Sequence, residues 1–242
     1  IARHSRLVVP AHPSFVKQGY LVEDMKYLTN YKLMEVLNGF RVSAAHWDMA
    51  LSTGHLVYLI GDDDLHDATY INDPAYRFTM IHAKENDAEQ LLTSLEKGMA
   101  VGVEFPLNDN ETFPQKAERL KKDLPYLNYC KLNGDTLSVN ASKKMAKVVF
   151  SGQEGKTLAI MENIDTAAYV IQPEDNYVRV VMTFADGSEL WLNPTTRHAS
   201  PNEVAFQRFD HVSYWKTAVK WALCLAALVL ATRCIIRRRK IV

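Results

Sequence analysis

Apolar residues recur along this chain at two different periods, and the switch between them divides it. From Gly19 to Phe40, Leu21, Met25 and Leu28, then Leu33, Val36 and Leu37, keep helical spacing. Gly39 sits where a C-terminal cap belongs, so the pattern predicts one amphipathic helix. The short apolar run His55–Gly61 and the alternating stretch Tyr76–Lys84 predict strands. A second helix is predicted over Asn86–Gly98, with Asn86 or Asp87 to cap it, Leu91, Leu92 and Leu95 as its buried stripe, and Gly98 to stop it. Met99–Phe105 reads as a strand. Thr112–Leu124 predicts a third helix, with Thr112 near the cap, Pro114 in the first turn and basic residues towards the end.

From Tyr126 onward the period falls to two. Asn133-Gly134 and Asp186-Gly187 each separate two strand-like runs, which is a hairpin signal. Between them Lys147–Phe150, Lys156–Ile164 and Ala167–Glu174 have strand length. The expected class is α+β: a mixed helix and strand part followed by an antiparallel β meander, with one C-terminal transmembrane helix. The expected divisions are an extended N-terminal arm (1–18), the mixed part (19–125), the antiparallel part within the same domain or as a second one (126–193), a juxtamembrane linker (194–213), the membrane helix (214–236) and a basic tail (237–242).

The closing segment needs its own argument, because a span requires about 20 mostly apolar residues. Lys220 and Arg233 leave only the 12 residues Trp221–Thr232 uncharged between them. Both charges lie within about one turn of the ends of Thr217–Ile236, where long basic side chains snorkel to the headgroups. Trp215 and Trp221, with Tyr214, form an interfacial aromatic boundary, and Arg233, Arg237, Arg238 and Arg239 anchor the other end. No polar face breaks Trp221–Ala231, as a helix at the surface of a soluble core would require. Ala218, Ala222 and Ala226 recur every four residues and present a small-residue face for neighbouring helices.

Charge sets the orientation. The chain carries 28 basic and 28 acidic residues, but five of the basic ones fall within the last ten positions. The positive-inside rule then places the tail on the cytoplasmic or matrix side and the main domain outside the cytoplasm. The start at Ile1, without an initiator methionine, is what a removed signal peptide would leave. Cys130 is the only cysteine outside the closing segment, so no internal disulfide can staple the domain. An unpaired thiol fits a bacterial inner membrane or a mitochondrial membrane better than a eukaryotic cell surface. With the basic tail set aside the domain is net acidic, which argues against a nucleic-acid partner.

Candidate chemistry is thin. Asp62, Asp64 and His66, with Asp73, offer oxygen and nitrogen donors for a cation, although Asp67 and Asp73 occupy positions where a calcium loop needs glycine and glutamate. His46 lies two residues before Asp48, without a nucleophile elbow anywhere. No P-loop or dinucleotide fingerprint occurs, and no cofactor is expected. Trp191, on the second hairpin, is a candidate anchor for a partner. The expectation is a non-enzymatic subunit that meets the lipid bilayer and other membrane-protein subunits. A membrane-tethered metal-dependent hydrolase and a cytosolic tail-anchored adaptor are the alternatives.

Overall fold

The computed structural model describes residues 5–17, 19–71, 74–196 and 214–239, with side chains to Arg233 in the last segment. The chain divides into two units, Ile1–Arg208 and Phe209–Val242. The linker expected over 194–213 lies largely outside the described residues.

In the first unit a 3-10 turn (Val22–Lys26) is followed by β1 (Leu33–Asn38), β2 (Arg41–Val42), α1 (Ala44–Ser52) and β3 (Tyr58–Asp62). Next come β4 (Arg77–Ile81), α2 (Ala88–Glu96), β5 (Ala100–Glu104) and α3 (Phe113–Asp123). The remainder is β6 (Leu127–Asn133), β7 (Thr136–Ser151), β8 (Thr157–Val170), β9 (Tyr177–Phe184), β10 (Glu189–Leu192) and β11 (Thr195–Thr196). Three strands pair in the order β2-β1-β3, and eight form a second sheet with path β4-β5-β10-β9-β7-β6, β8 pairing β7 and β11 pairing β9. The class is therefore α+β, and the large sheet draws strands from both halves of the sequence.

One expected element is replaced. Gly19–Phe40 is not a helix: its second half is β1, paired parallel with β3 from Leu33↔Tyr58 to Asn38↔Asp62. All six residues of β1 are buried. A strand covered on both faces loses its alternation, and its continuous apolar run then resembles helical spacing. In the first half only Met25 is buried, while Leu21 stays 72% exposed.

The other helices follow their caps. Asp87 accepts from the backbone N–H groups of Glu89 and Gln90 at 3.0 and 3.1 Å. The Thr112 N–H donates to Gln115 Oε1 at 2.7 Å. Leu91, Leu92 and Leu95 are only half-buried, with Ser94 the buried residue of α2. The three short strand-like runs after the first hairpin merge into the long strands β7 and β8.

Two cores result. One lines the large sheet (Val139, Val148, Phe150, Val180, Met182, Phe184) and takes in Leu120 and Leu124 of α3 and the turn after it. The other gathers Met34, Leu37, Trp47, Leu51 and Leu59 with Tyr177, and Trp191 packs against it. The small sheet lies so close to β5 that a Cβ on Gly102 would stand 2.5 Å from Leu59 Cδ1 and 2.9 Å from Leu37 Cδ1. Asn193 ties the layers, accepting from Leu59 N–H at 2.8 Å and donating to the carbonyls of Gly98 and Ala100 at 3.0 and 3.1 Å.

The second unit is a single helix, α4 (Tyr214–Arg239). Its stretch Tyr214–Arg233, 20 residues with mean hydropathy 1.3, is long and apolar enough to cross a membrane.

Candidate functional site

One cluster of polar groups in the first unit lies towards the carboxyl ends of the parallel pair β1 and β3, the end of an open sheet where ligands commonly bind. Glu35 on β1 is 3% exposed. Its carboxylate accepts from Asn38 Nδ2 at 2.6 Å and from the His12 backbone N–H of the N-terminal arm. Half-buried Asp62, at the end of β3 opposite Asn38, shares a hydrogen bond with Glu35. Burial first, then the charge of Glu35, pushes the Asp62 carboxyl up to about 6. Two touching carboxyls at a half-buried place hold one proton between them more readily than two negative charges.

The residues around this pair are braced. The Asp64 N–H donates to Asp62 Oδ1 at 2.9 Å. Asp63 turns the other way and accepts from the N–H groups of Ala75, Tyr76 and Arg77 at 2.5, 2.8 and 2.8 Å. Arg77 donates to the carbonyl of Asn38 at 2.6 Å and, through Nε, to Glu104 at 2.8 Å.

Of the residues expected to bind a cation, Asp64 lies next to both Asp62 and His66, but their side chains are not grouped around one point. Asp62 pairs with Glu35, while Asp64 lies 3.5 Å from His66, an exposed residue. Asp73 lies outside the described residues, and His46 Nε2 pairs with the carbonyl of Tyr20 at 2.9 Å. Among the described residues no three histidine, cysteine or acidic side chains are grouped to hold a metal ion. Glu35 is not legible as a site residue in the sequence, because the helical spacing over Gly19–Phe40 places it on a helix. The acidic residue inside the otherwise apolar run Leu33–Leu37 was the available signal.

The shared proton has a consequence for stability. The folded protein keeps it to about pH 6, whereas an unfolded aspartate releases it near pH 3.9. Stability is therefore highest at or below pH 4 as far as this group is concerned, falls as pH rises to about 6, and is flat above. Denaturant titrations of the full chain in detergent should show lower stability at pH 7 than at pH 4 from Asp62, by less than the about 1.4 kcal/mol per pKa unit of a fully buried group because water screens this half-buried carboxyl. Asp62→Asn should remove that component.

A second polar cluster is fully enclosed. Arg179 on β9 donates from Nε and an Nη to the two Asp48 oxygens, both at 2.7 Å, and the Tyr177 hydroxyl donates to Asp48 Oδ1 at 2.9 Å. All three residues are buried, and burial first, then Asp48, raises the Tyr177 phenol far above its ordinary value. The guanidinium lies 5.5 Å from the Trp47 ring and 5.7 Å from that of Trp191. Gly155, at φ 74°, leaves room for the carboxylate, since a Cβ there would stand 2.5 Å from Asp48 Oδ2. Trp191 is half-buried in this setting, its Nε1 donating to Glu189 at 2.8 Å. Its buried bonds brace α1 against β9.

An open groove of about 530 Å³ forms between β4, β5 and β10 on one side and β6 on the other. Met80, Met99, Val101, Leu127 and Leu192 line it together with Cys130, no lysine, arginine, aspartate or glutamate does, and His82, Asn128 and Asn193 supply polar groups.

On α4, Trp215 and Trp221 are exposed, as are Ala218, Ala222, Ala226 and Arg233. Arg237, Arg238 and Arg239 continue the helix, with side chains outside the described ones. The Thr232 hydroxyl donates to the carbonyl of Leu228 at 2.7 Å, so it needs no external partner. No protein-family model, curated protein or solved structure matches this chain.

Proposed function

We propose that this chain is a single-pass membrane protein whose α+β domain lies outside the cytoplasm and serves as a structural or assembly component of a larger membrane complex. The observation that carries this reading is α4. Leu223, Leu225 and Leu228 are each more than half exposed on a helix of membrane-spanning length, and such a surface needs lipid or other helices around it. The face made by Ala218, Ala222 and Ala226 suits close helix packing. The largely apolar groove beside Cys130 supplies the domain with a surface of the kind a neighbouring subunit covers.

Two measurements test the two halves of the proposal. Cys130 is exposed, and desolvation pushes its thiol above the ordinary value, so labelling belongs at mildly alkaline pH. In right-side-out membrane vesicles, with Cys224 and Cys234 replaced by serine, an impermeant maleimide should modify Cys130 without lysis. Modification only after lysis would reverse the orientation. Mild-detergent extracts of the native membrane should then carry the chain in a particle larger than its own monomer. Migration as a monomer would remove the assembly role.

A further inference from the structure

We propose that the N-terminal arm and the β1–β2 hairpin together form a lipid-docking face, in which Phe15, Val16 and Phe40 enter the headgroup layer of a bilayer while Lys17 and Arg41 meet its phosphates.

Two turns place these side chains together. In the arm, the Gly19 N–H donates to the Phe15 carbonyl at 2.8 Å and the Tyr20 N–H to that of Pro13 at 2.9 Å. The chain folds back there and leaves Phe15, Val16 and Lys17 exposed. The hairpin pairs Asn38 with Arg41, so Gly39 and Phe40 are its two-residue tip. The Arg41 guanidinium lies 5.0 Å over the Phe15 ring and joins the hairpin to the arm. Behind this face the arm is pinned to the start of α1. The Ser14 N–H donates to Ser43 Oγ at 3.3 Å, and the two hydroxyls pair at 3.0 Å. Val16 is nevertheless 79% exposed and Phe40 64% exposed. Apolar tips fixed in this way gain from burial without the cost of ordering a loop.

Charge decides which occupant the face suits. Among the described residues Arg41 makes no ion pair or hydrogen bond, and its Nε is buried without a partner. Lys17, exposed beside Val16, makes no ion pair among them either. The acids around the two turns are committed elsewhere. Glu23 pairs with Lys26 at 2.5 Å, and Asp24 accepts from the Leu21 N–H at 2.8 Å. Glu35 is buried, and Asp63 faces the Ala75–Arg77 amides. Beyond Phe40, Asp64 lies 3.5 Å from His66, and Asp67 accepts from the Thr69 N–H at 2.9 Å. Exposed apolar tips beside uncompensated cations match a surface of phosphates over an apolar layer. The bilayer is also at hand: residues 197–213 join the domain to α4 by at most about 60 Å of chain.

The test uses the full chain in vesicles of phosphatidylcholine and phosphatidylglycerol. Its three cysteines are replaced by serine, and Val16→Cys carries an environment-sensitive fluorophore. Nitroxide lipids labelled near the headgroup should quench this fluorophore more than those labelled at the bilayer centre, as a depth of about 5–10 Å requires. The same fluorophore on Asn110→Cys, in an exposed turn before α3, should stay unquenched. Arg41→Gln should lower the ratio of docked to undocked label about fivefold, and Phe40→Asp should lower it further. The inference rests on α4 as the anchor, and flotation separates the two. A chain that floats with the vesicles, but is quenched on Val16→Cys no more than on Asn110→Cys, overturns the docking face alone. A chain that does not float overturns both. Shielding of the label in native membranes but not in these vesicles would assign the face to a protein partner and overturn it as well.

Discussion

Replacing Asp48 with alanine is expected to destabilise the folded domain by about 3–5 kcal/mol. The variant leaves the Arg179 guanidinium buried between Trp47 and Trp191 without its two 2.7 Å carboxylate bonds, and it strips the Tyr177 hydroxyl of its acceptor. Desolvating an unpaired cation costs far more than the intact pair contributes, so the loss reports the orphaned charge. Asp48→Leu combined with Arg179→Met should therefore recover much of the stability, because no charge is then left without a partner. Chemical denaturation of the single and double variants measures the coupling directly. The exposed Glu118–Lys121 pair, with side chains 73% accessible on both partners, provides the contrast: Glu118→Ala should change stability by no more than about 0.5 kcal/mol. If Asp48→Ala falls in that same range, Arg179 has another way to be solvated and the brace between α1 and β9 is weaker than its geometry indicates.

The second large effect concerns α4. Each arginine at the centre of a membrane helix costs about 2.5–3.5 kcal/mol of insertion, so Leu225→Arg with Leu228→Arg should cost about 5–7 kcal/mol. The apolar stretch Tyr214–Arg233 already contains Lys216 and Lys220 and has a mean hydropathy of only 1.3, which leaves little surplus to absorb that cost. Alkaline carbonate washing should leave the wild type in the membrane pellet and release the double variant. Lys220→Leu lengthens the uncharged core beyond the 12 residues Trp221–Thr232 and should tighten retention. Equal retention of all three chains would mean that α4 is not what holds the protein to the membrane.

The sequence by itself determined the elements whose cause is local. Asp87 and Thr112 start α2 and α3 by capping interactions reaching only three residues along the chain, and the Asn133-Gly134 and Asp186-Gly187 turns mark the two hairpins. The length and apolarity of α4 were equally legible, since they are sums over neighbouring residues. The candidate acid pair was half visible: Asp62 and Asp64 stood out as a charged cluster after an apolar strand, but Glu35 was hidden in a run that read as helix.

Tertiary structure decided the rest, and the reason is burial from both sides. A strand with one open face announces itself by alternation; β1 and β9 are covered on both, so β1 carries no such signal. The same double coverage enclosed Arg179 beside Asp48, 131 positions away in the chain, and made Trp191 part of a packed layer. The parallel pairing of β1 with β3 brought Glu35 to Asp62, a juxtaposition that no local period encodes. Charges placed together by long-range pairing change each other's protonation through desolvation and proximity, and those two quantities exist only once the chain has folded.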